Sequence, residues 1–321
     1  MSLECMICLD DGGSGLIRKG CACRGSSALV HAACAERAAV AQLPHRGRRA
    51  WSECQTCGQV FTGPMCVALA TAWLARAGTG ADTYRALSYR AAAHQSIGEY
   101  EAAERIYRDV LDANTRLYGA THNATVNSMG ALASALWHRK KHVESESLRR
   151  RVVVCRTLAL GAEHPITLIG ASDLALSLST HDEARYEEAE RIFGAVIAAQ
   201  KRVLGSEHAY TLVTISNYAS MLSRRGDDAA AERVYRDTIE SHRRVLGDAH
   251  PHTMIMDSNL AACLLTQGSL EKIDEAREIY DRVIPRMREV LGSAHPDTAR
   301  VVRDGRMRLG DLGRREAALH I

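Results

Sequence analysis

A ten-residue segment recurs five times in the second part of the sequence. Its copies are RLYGATHNAT, LALGAEHPIT, RVLGSEHAYT, RVLGDAHPHT and EVLGSAHPDT. Their histidines are His122, His164, His208, His250 and His295, spaced by 42, 44, 42 and 45 residues. A period of this length is typical of repeat proteins, in which each repeat packs on its neighbours. The sequence therefore predicts a solenoid.

Each period contains two segments with apolar residues at helical spacing. In one copy these are TLVTISNYASMLSRRG and DAAAERVYRDTIESHRRVLG, which end at Gly226 and Gly247. The chain accommodates five such two-helix units and a partial sixth. The recurrent histidines fall in the loops that precede the first helices. Because they occur once per repeat without a partnering ligand pair, a capping or packing role is favoured over metal binding.

The repeats resemble tetratricopeptide repeats of the kinesin-light-chain type over residues 82–321. The resemblance implies a groove, formed by the first helix of each pair, that holds a protein or peptide client. In the light-chain pattern an asparagine lies six residues after the repeat threonine. Here that position holds Asp173, Asn217 and Asn259 in the later repeats. A side-chain amide in a groove can pair with the backbone of an extended peptide, or equally with a neighbouring helix.

Seven of the ten cysteines lie before residue 58. With one histidine they form four close pairs, Cys5/Cys8, Cys21/Cys23, His31/Cys34 and Cys54/Cys57. Seven thiols cannot all pair as disulfides, whereas eight donors satisfy two tetrahedral zinc ions and also account for the histidine. The segment has few large apolar residues, so zinc would supply much of its folding free energy. We therefore expect two zinc ions as cofactors.

The ligand spacing and the stretch CACRGSSALVHAAC resemble the RING-CH, or RING-variant, zinc finger. The resemblance implies interleaved sites, the first formed by Cys5, Cys8, His31 and Cys34. The second would be formed by Cys21, Cys23, Cys54 and Cys57. Spacing alone would equally permit two sequential sites. The family generally acts as a ubiquitin ligase that docks a ubiquitin-conjugating enzyme, and related RING domains use an apolar residue at the position of Ile7.

Other positions depart from the family pattern. Ala35 and Ala38 replace large apolar residues that are frequent after the sixth ligand. Gly58 stands where many active RING domains carry a basic residue. Two functions therefore fit the sequence. One is a ubiquitin-protein ligase with a conjugating enzyme on the head and a substrate in the groove, and the alternative is a non-catalytic, zinc-stabilised interaction adaptor.

The predicted fold class is mainly α, with a RING-CH-type head at residues 1–62, a short helix and linker at 63–81, and the repeat solenoid at 82–321. Lys and Arg exceed Asp and Glu by only three, without a dense basic tract, so nothing favours nucleic acid. The longest apolar run, MCVALATAWLA, is too short to span a membrane. The sequence also lacks the pattern of a secretion signal, which predicts a cytoplasmic location without excluding the nucleus.

Overall fold

The computed structural model describes residues 5, 7–8, 16–18, 29–56, 58, 60–61, 63–181, 183–292 and 296–319. The chain forms two compact units, Met1–Cys155 and Arg156–Ile321. The first contains strands β1 (Leu16–Arg18) and β2 (Leu29–His31) and helices α1 (Ala32–Arg46), α2 (Gly63–Arg76), α3 (Ala81–Ser96), α4 (Tyr100–Tyr118) and α5 (Asn123–His138). Helix α6 (His142–Leu160) contains the boundary between the units.

The second unit contains the remaining helices that the structure describes. They are α7 (Pro165–His181), α8 (Tyr186–Val203), α9 (Ala209–Arg224), α10 (Asp228–Leu246), α11 (Pro251–Gln267), α12 (Leu270–Val290) and α13 (Pro296–Leu319). Helices α3 to α12 are the five two-helix units that the sequence predicts, and α13 represents the sixth. The predicted all-α solenoid is therefore confirmed.

The head is built on a small antiparallel hairpin and one helix. Ile17 of β1 pairs with Val30 of β2, and α1 follows β2 directly. Val30 and Trp51 are almost fully buried, and they share one apolar core with Met65 and Leu69 of α2. The helix predicted between head and repeats is therefore part of the core of the head.

Helix α2 also packs on the first repeat helix, α3. The buried thiol of Cys66 on α2 donates a hydrogen bond to the Tyr89 hydroxyl of α3 at 3.4 Å. That hydroxyl in turn donates to the carbonyl oxygen of Trp51 at 3.3 Å. Burial raises the pKa of the Cys66 thiol and keeps it protonated as a donor. The head and the first repeat are thus joined by both apolar packing and hydrogen bonds.

One aromatic residue per repeat fills the interior of the array, as its helical spacing predicts. These residues are Tyr107, Phe193, Tyr235 and Tyr280, all of them at most 5% exposed. They lie on the second helices α4, α8, α10 and α12. Large aromatic side chains contribute much of the apolar area that holds such layers together.

The recurrent histidines cap the first helices. The ring Nδ1 atoms of His122, His208 and His250 each accept a hydrogen bond of 3.2 Å from the backbone N–H two residues later. His164 makes the same bond to the N–H of Ile166. These bonds satisfy N–H groups that have no partner within the helix. The predicted capping role is confirmed at these four positions, and His295 lies outside the described residues.

The histidine caps make stability depend on pH. Burial, together with the nearby His252 and His242, lowers the pKa of His250, so folding favours its neutral ring. Its contribution is complete above the ordinary histidine pKa of about 6.5 and is lost as the pH falls from that value through the lowered pKa of the folded state, because a protonated Nδ1 cannot accept. We expect His250→Ala to lower the free energy of unfolding by about 1 kcal/mol at pH 8, and by less at pH 5.5.

Urea denaturation at the two pH values measures this difference. The control is His45→Ala, which changes an exposed histidine that caps no helix. Equal losses for His250→Ala at both pH values would contradict a cap that depends on the neutral ring.

Candidate functional site

Four of the predicted zinc ligands lie together in the head. The ligand atoms of Cys5, Cys8, His31 and Cys34 are all within 4.8 Å of one another. The Nδ1 atom of His31 lies 3.4 Å from the Cys8 sulfur and 3.9 Å from the Cys34 sulfur. His31 ends β2 and directly precedes α1, whose first turn carries Cys34. The hairpin and the helix therefore bring ligands that are far apart in sequence to one point.

The surroundings of Cys5 favour the ionised form of its thiol. Burial alone would raise the pKa of Cys5, but hydrogen bonds from the backbone N–H groups of Cys8, His31 and Ile7 lower it to about 6. The Arg37 guanidinium donates a 3.2 Å hydrogen bond to the Cys34 sulfur. Three thiolates and one imidazole are a donor set that suits tetrahedral zinc. The cluster could hold one metal ion, and the residues present fit zinc.

The second predicted zinc site is described at one ligand. Cys54 is buried, at 1% exposure, beside the short helical turn Gly47–Trp51. Cys21, Cys23 and Cys57 lie outside the described residues. The described residues therefore do not define the geometry of the second site, and the binding of two zinc ions remains a prediction.

Sequence reasoning missed Arg37 and assigned no role to Cys66. Arg37 lies three residues after Cys34, so both side chains fall on one face of α1, and an arginine at this spacing from a helical ligand was the available signal. The hydrogen bond from Cys66 to Tyr89 gave no local signal, because the two residues are 23 positions apart.

Ile7 lies on the surface of the head, with 39% of its area exposed. It borders a shallow depression whose wall also includes Ala35, Ala38 and Phe61. Ala35 and Ala38 lie on α1. Because both are small, the depression is open where larger side chains would fill it. The lining also includes Arg46 and Glu53, which pair with each other at 3.6 Å, so the surface offers a partner an apolar contact beside one ion pair.

The predicted groove residues Asp173, Asn217 and Asn259 lie on α7, α9 and α11, and α9 packs against both of the other helices. Asp173 is exposed, whereas the two asparagines are half-buried. Neither asparagine amide hydrogen-bonds to another residue that the structure describes. Arg156 lies close enough to Asp173 to interact with its charge.

One helical turn before these polar residues, each helix carries a half-buried branched apolar side chain. These are Ile169, Val213 and Ile255. The same face of the three helices thus repeats an apolar residue followed by a polar one. Such a face can bury side chains of a bound segment and pair with its backbone.

None of the described helices is long and apolar enough to cross a membrane.

The repeats match two family models, both described as tetratricopeptide repeat. One covers residues 82–153, and the other covers 174–210, 211–252 and 259–297. Together these segments span more than half of the 321 residues. The chain belongs to the tetratricopeptide-repeat family.

Solved structures of similar fold include BtubC (BKLC) from P. vanneervenii. The TM-score is 0.56 at 17% identity, over 72% of this chain and 92% of that chain. The nearly identical TPR-like repeats of a candidate kinesin light chain from Podosopora anserina give a TM-score of 0.52 at 22% identity, over 64% of this chain and 94% of that chain. At these identities the likeness concerns the fold alone. No curated protein is detectably similar in sequence.

Proposed function

We propose that this chain is a RING-CH-type ubiquitin-protein ligase. A metal-bound head would recruit a ubiquitin-conjugating enzyme, and the repeats would hold the protein substrate. The tetratricopeptide repeats support a role in protein–protein interaction. The observation that carries the finer proposal is the cluster of Cys5, Cys8, His31 and Cys34, the ligand set that the RING-CH resemblance implies for one site.

In this proposal zinc cross-links the head and does not act on a substrate. The first ion would be held by Cys5, Cys8, His31 and Cys34. The second would be held by Cys21, Cys23, Cys54 and Cys57. The cysteines that the structure describes form no disulfide, which suits the reducing cytoplasm proposed for this protein.

The proposed docking surface is the depression beside Ile7. Loop residues between Cys5 and Cys8 are fixed by the metal ligands on either side, so Ile7 is presented at low entropic cost. An exposed apolar side chain next to a shallow depression is the kind of anchor that dominates interface energies. A conjugating enzyme held here would transfer ubiquitin to a nearby lysine, and the repeats raise the effective concentration of that lysine.

The proposed substrate groove is the face of α7, α9 and α11 that carries Asp173, Asn217 and Asn259. The two asparagine amides lack partners among the described residues, so they can pair with the backbone of an extended client without breaking a bond in the fold. The apolar residues one turn earlier would bury client side chains. Together they support a peptide segment rather than a small molecule as the client.

The test is autoubiquitination by the zinc-loaded full chain with a panel of ubiquitin-conjugating enzymes. We expect ubiquitin chains with the native protein and at least a tenfold lower rate with Ile7→Ala, because truncating a central apolar anchor costs about 2 kcal/mol or more. The matched control is Ile97→Ala. Ile97 is 37% exposed and lies at the end of α3, outside the depression.

Two outcomes decide between the functions. Ile7→Ala indistinguishable from native would contradict docking at this surface. If no conjugating enzyme yields chains from protein that contains zinc, the alternative function, a non-catalytic adaptor, replaces the ligase.

One observation already favours the adaptor. Gly58 has a φ of 71°, a conformation that favours glycine, so the backbone there disfavours the basic residue frequent in active RING domains.

A further inference from the structure

A cavity of about 560 Å³ lies between α10, α11 and α12 in the second unit. The charged side chains of its lining are Arg243, Arg282, Arg286, Asp248 and Asp257. Asp257 and Asn259 are two residues apart on α11, so their side chains point about 200° apart around the helix axis. The cavity therefore lies on the other side of α11 from the proposed client groove, and it is a separate site.

Asp257 places a carboxylate at a position that is apolar in the other repeats. Four residues after the repeat threonine, the other units carry Leu87, Met129, Ala171, Ile215 and Val302. Asp257 is 5% exposed, and its two oxygens contact the guanidinium groups of Arg243 at 3.0 Å and Arg282 at 3.4 Å. Burying a carboxylate costs solvation free energy that an apolar residue at this position avoids. The other units form the solenoid without it, and here it holds two arginines at the wall of the cavity.

Arg282 and Arg286 are a second feature that only this unit has. At the positions equivalent to Arg282 the preceding units carry Asp109, Arg151, Ala195 and Asp237, and at those equivalent to Arg286 they carry Ala113, Cys155, Ala199 and Ser241. The two arginines lie one turn apart on α12, with 58% and 54% of their side chains exposed. Among the described residues each pairs with a single carboxylate, that of Asp257 or that of Glu289. Like charges at this spacing destabilise a helix, so an anion that bridges them would relieve their repulsion.

The anion that fits two such arginines is a phosphate monoester. A guanidinium donates two parallel hydrogen bonds to phosphate, and a phosphorylated side chain offers three terminal oxygens and a charge of about −1.5 to −2. A carboxylate has two oxygens and one charge, so one guanidinium satisfies it. Arg243 adds little to this attraction, because its guanidinium already pairs with three carboxylates. These belong to Glu240, Asp248 and Asp257.

The neighbouring surface limits the size of the anion. A cavity of about 600 Å³ on the other side of Arg282 is lined by Asp237, Glu275 and Glu278. Glu275 pairs with Arg236 at 2.7 Å, whereas Asp237 and Glu278 form no ion pair with any residue that the structure describes. Negative charge therefore begins one turn before Arg282 and would repel a nucleic acid or a run of acidic residues. Charge complementarity favours a single phosphate group.

We propose that the cavity beside Arg282 and Arg286 binds a phosphorylated serine or threonine side chain of another protein. Clusters of arginine are a general means of recognising phosphorylated motifs. The cavity, at about 560 Å³, is much larger than a phosphate ion, so it also has room for the residues that flank the phosphorylated one. Binding of this partner would then depend on its phosphorylation.

The test is binding of a fluorescein-labelled peptide, one phosphoserine flanked by glycine and alanine, to the full chain, followed by fluorescence anisotropy. We expect saturable binding, and an affinity about tenfold lower for Arg286→Gln, which removes a charged hydrogen-bond donor. The fold should tolerate this change, because Arg286 is half exposed and does not pair with Asp257. The control is Arg277→Gln on the same helix. Arg277 is 50% exposed, pairs with Asp274 at 3.0 Å and lies outside the cavity lining, so this variant should bind with native affinity.

Four results would overturn the proposal. The first two are no saturable binding of the phosphopeptide to the native chain, and equal affinities for native and Arg286→Gln. The third is equal binding of a peptide with glutamate in place of phosphoserine, which would assign the cavity to an acidic segment. The fourth is displacement of the phosphopeptide by an equal concentration of inorganic phosphate, which would assign it to the free ion. The assay needs neither ubiquitin nor a conjugating enzyme, so it is independent of the ligase proposal.

Discussion

Cys34→Ser is expected to release the metal from the first site and to unfold the head. Cys34 supplies one of four clustered ligand atoms, and the head has a small apolar core around Trp51. Zinc binding to structural sites of this type supplies on the order of 10 kcal/mol of folding free energy, more than such a core can replace. The metal content should fall by at least one ion per chain, and Trp51, now 1% exposed, should become accessible to solvent.

Atomic emission spectroscopy measures the metal, and quenching of tryptophan fluorescence by iodide measures the exposure. The control is Cys155→Ser, which changes a half-buried cysteine outside the cluster and should retain the metal. A chelator added to the native chain should reproduce the effect of Cys34→Ser. Full metal content in Cys34→Ser, with Trp51 still protected, would contradict a metal site at this cluster.

Glu104→Gln is expected to lower the free energy of unfolding by about 2 kcal/mol at pH 7. The Glu104 side chain is 5% exposed and accepts hydrogen bonds from Lys141 at 2.8 Å, Arg139 at 2.6 Å and Arg108 at 2.9 Å. Removing one member of a fully buried ion pair costs about 3–5 kcal/mol, and the value is lower here because the three cations are partly hydrated.

The cluster of Glu104 with its three cations also makes the free energy of unfolding depend on pH in the acidic range. Burial would raise the pKa of Glu104, but the hydrogen bonds from Lys141, Arg108 and Arg139 lower it to about 2. Its contribution to stability is therefore complete above the ordinary glutamate pKa of about 4.3, and it is lost as the pH falls from there toward 2. The difference between native and Glu104→Gln should shrink over this range.

Urea denaturation monitored by circular dichroism measures both effects. The control is Glu101→Gln on the same helix, because Glu101 is 73% exposed and lies 3.9 Å from Arg139. We expect a change below about 0.5 kcal/mol for this control. Equal effects of Glu104→Gln and Glu101→Gln would show that the buried cluster contributes no more than a surface pair.

The sequence predicted the repeats because their signals are local and recur. A histidine before each first helix and an aromatic residue on each second helix reappear at nearly constant spacing, and each marks a position whose environment the next repeat reproduces. The close pairs Cys5/Cys8 and His31/Cys34 are visible in the sequence, but only the resemblance to RING-CH zinc fingers implied that they form one set, and their ligand atoms cluster in the structure. The metal itself and the second site remain predictions.

The sequence did not predict contacts between residues that are far apart along the chain. Lys141 lies 37 residues from Glu104, and nothing local to either residue indicates that they meet. The role of α2 was underestimated for a similar reason. Its apolar face could have belonged to a linker helix, and only the three-dimensional packing shows that Leu69 lies in the core of the head.

The packing of α2 on α3 gives the head a second structural role. The outermost repeat of any solenoid has one apolar side without a neighbour, and that side needs a cover. In this protein α2 covers that side of the first repeat, and the hydrogen bonds of the Tyr89 hydroxyl with Cys66 and Trp51 connect α2, α3 and the head. The head therefore acts as an N-terminal cap of the first repeat. The metal ion proposed for the cluster of Cys5, Cys8, His31 and Cys34 would therefore also stabilise the cover of the first repeat.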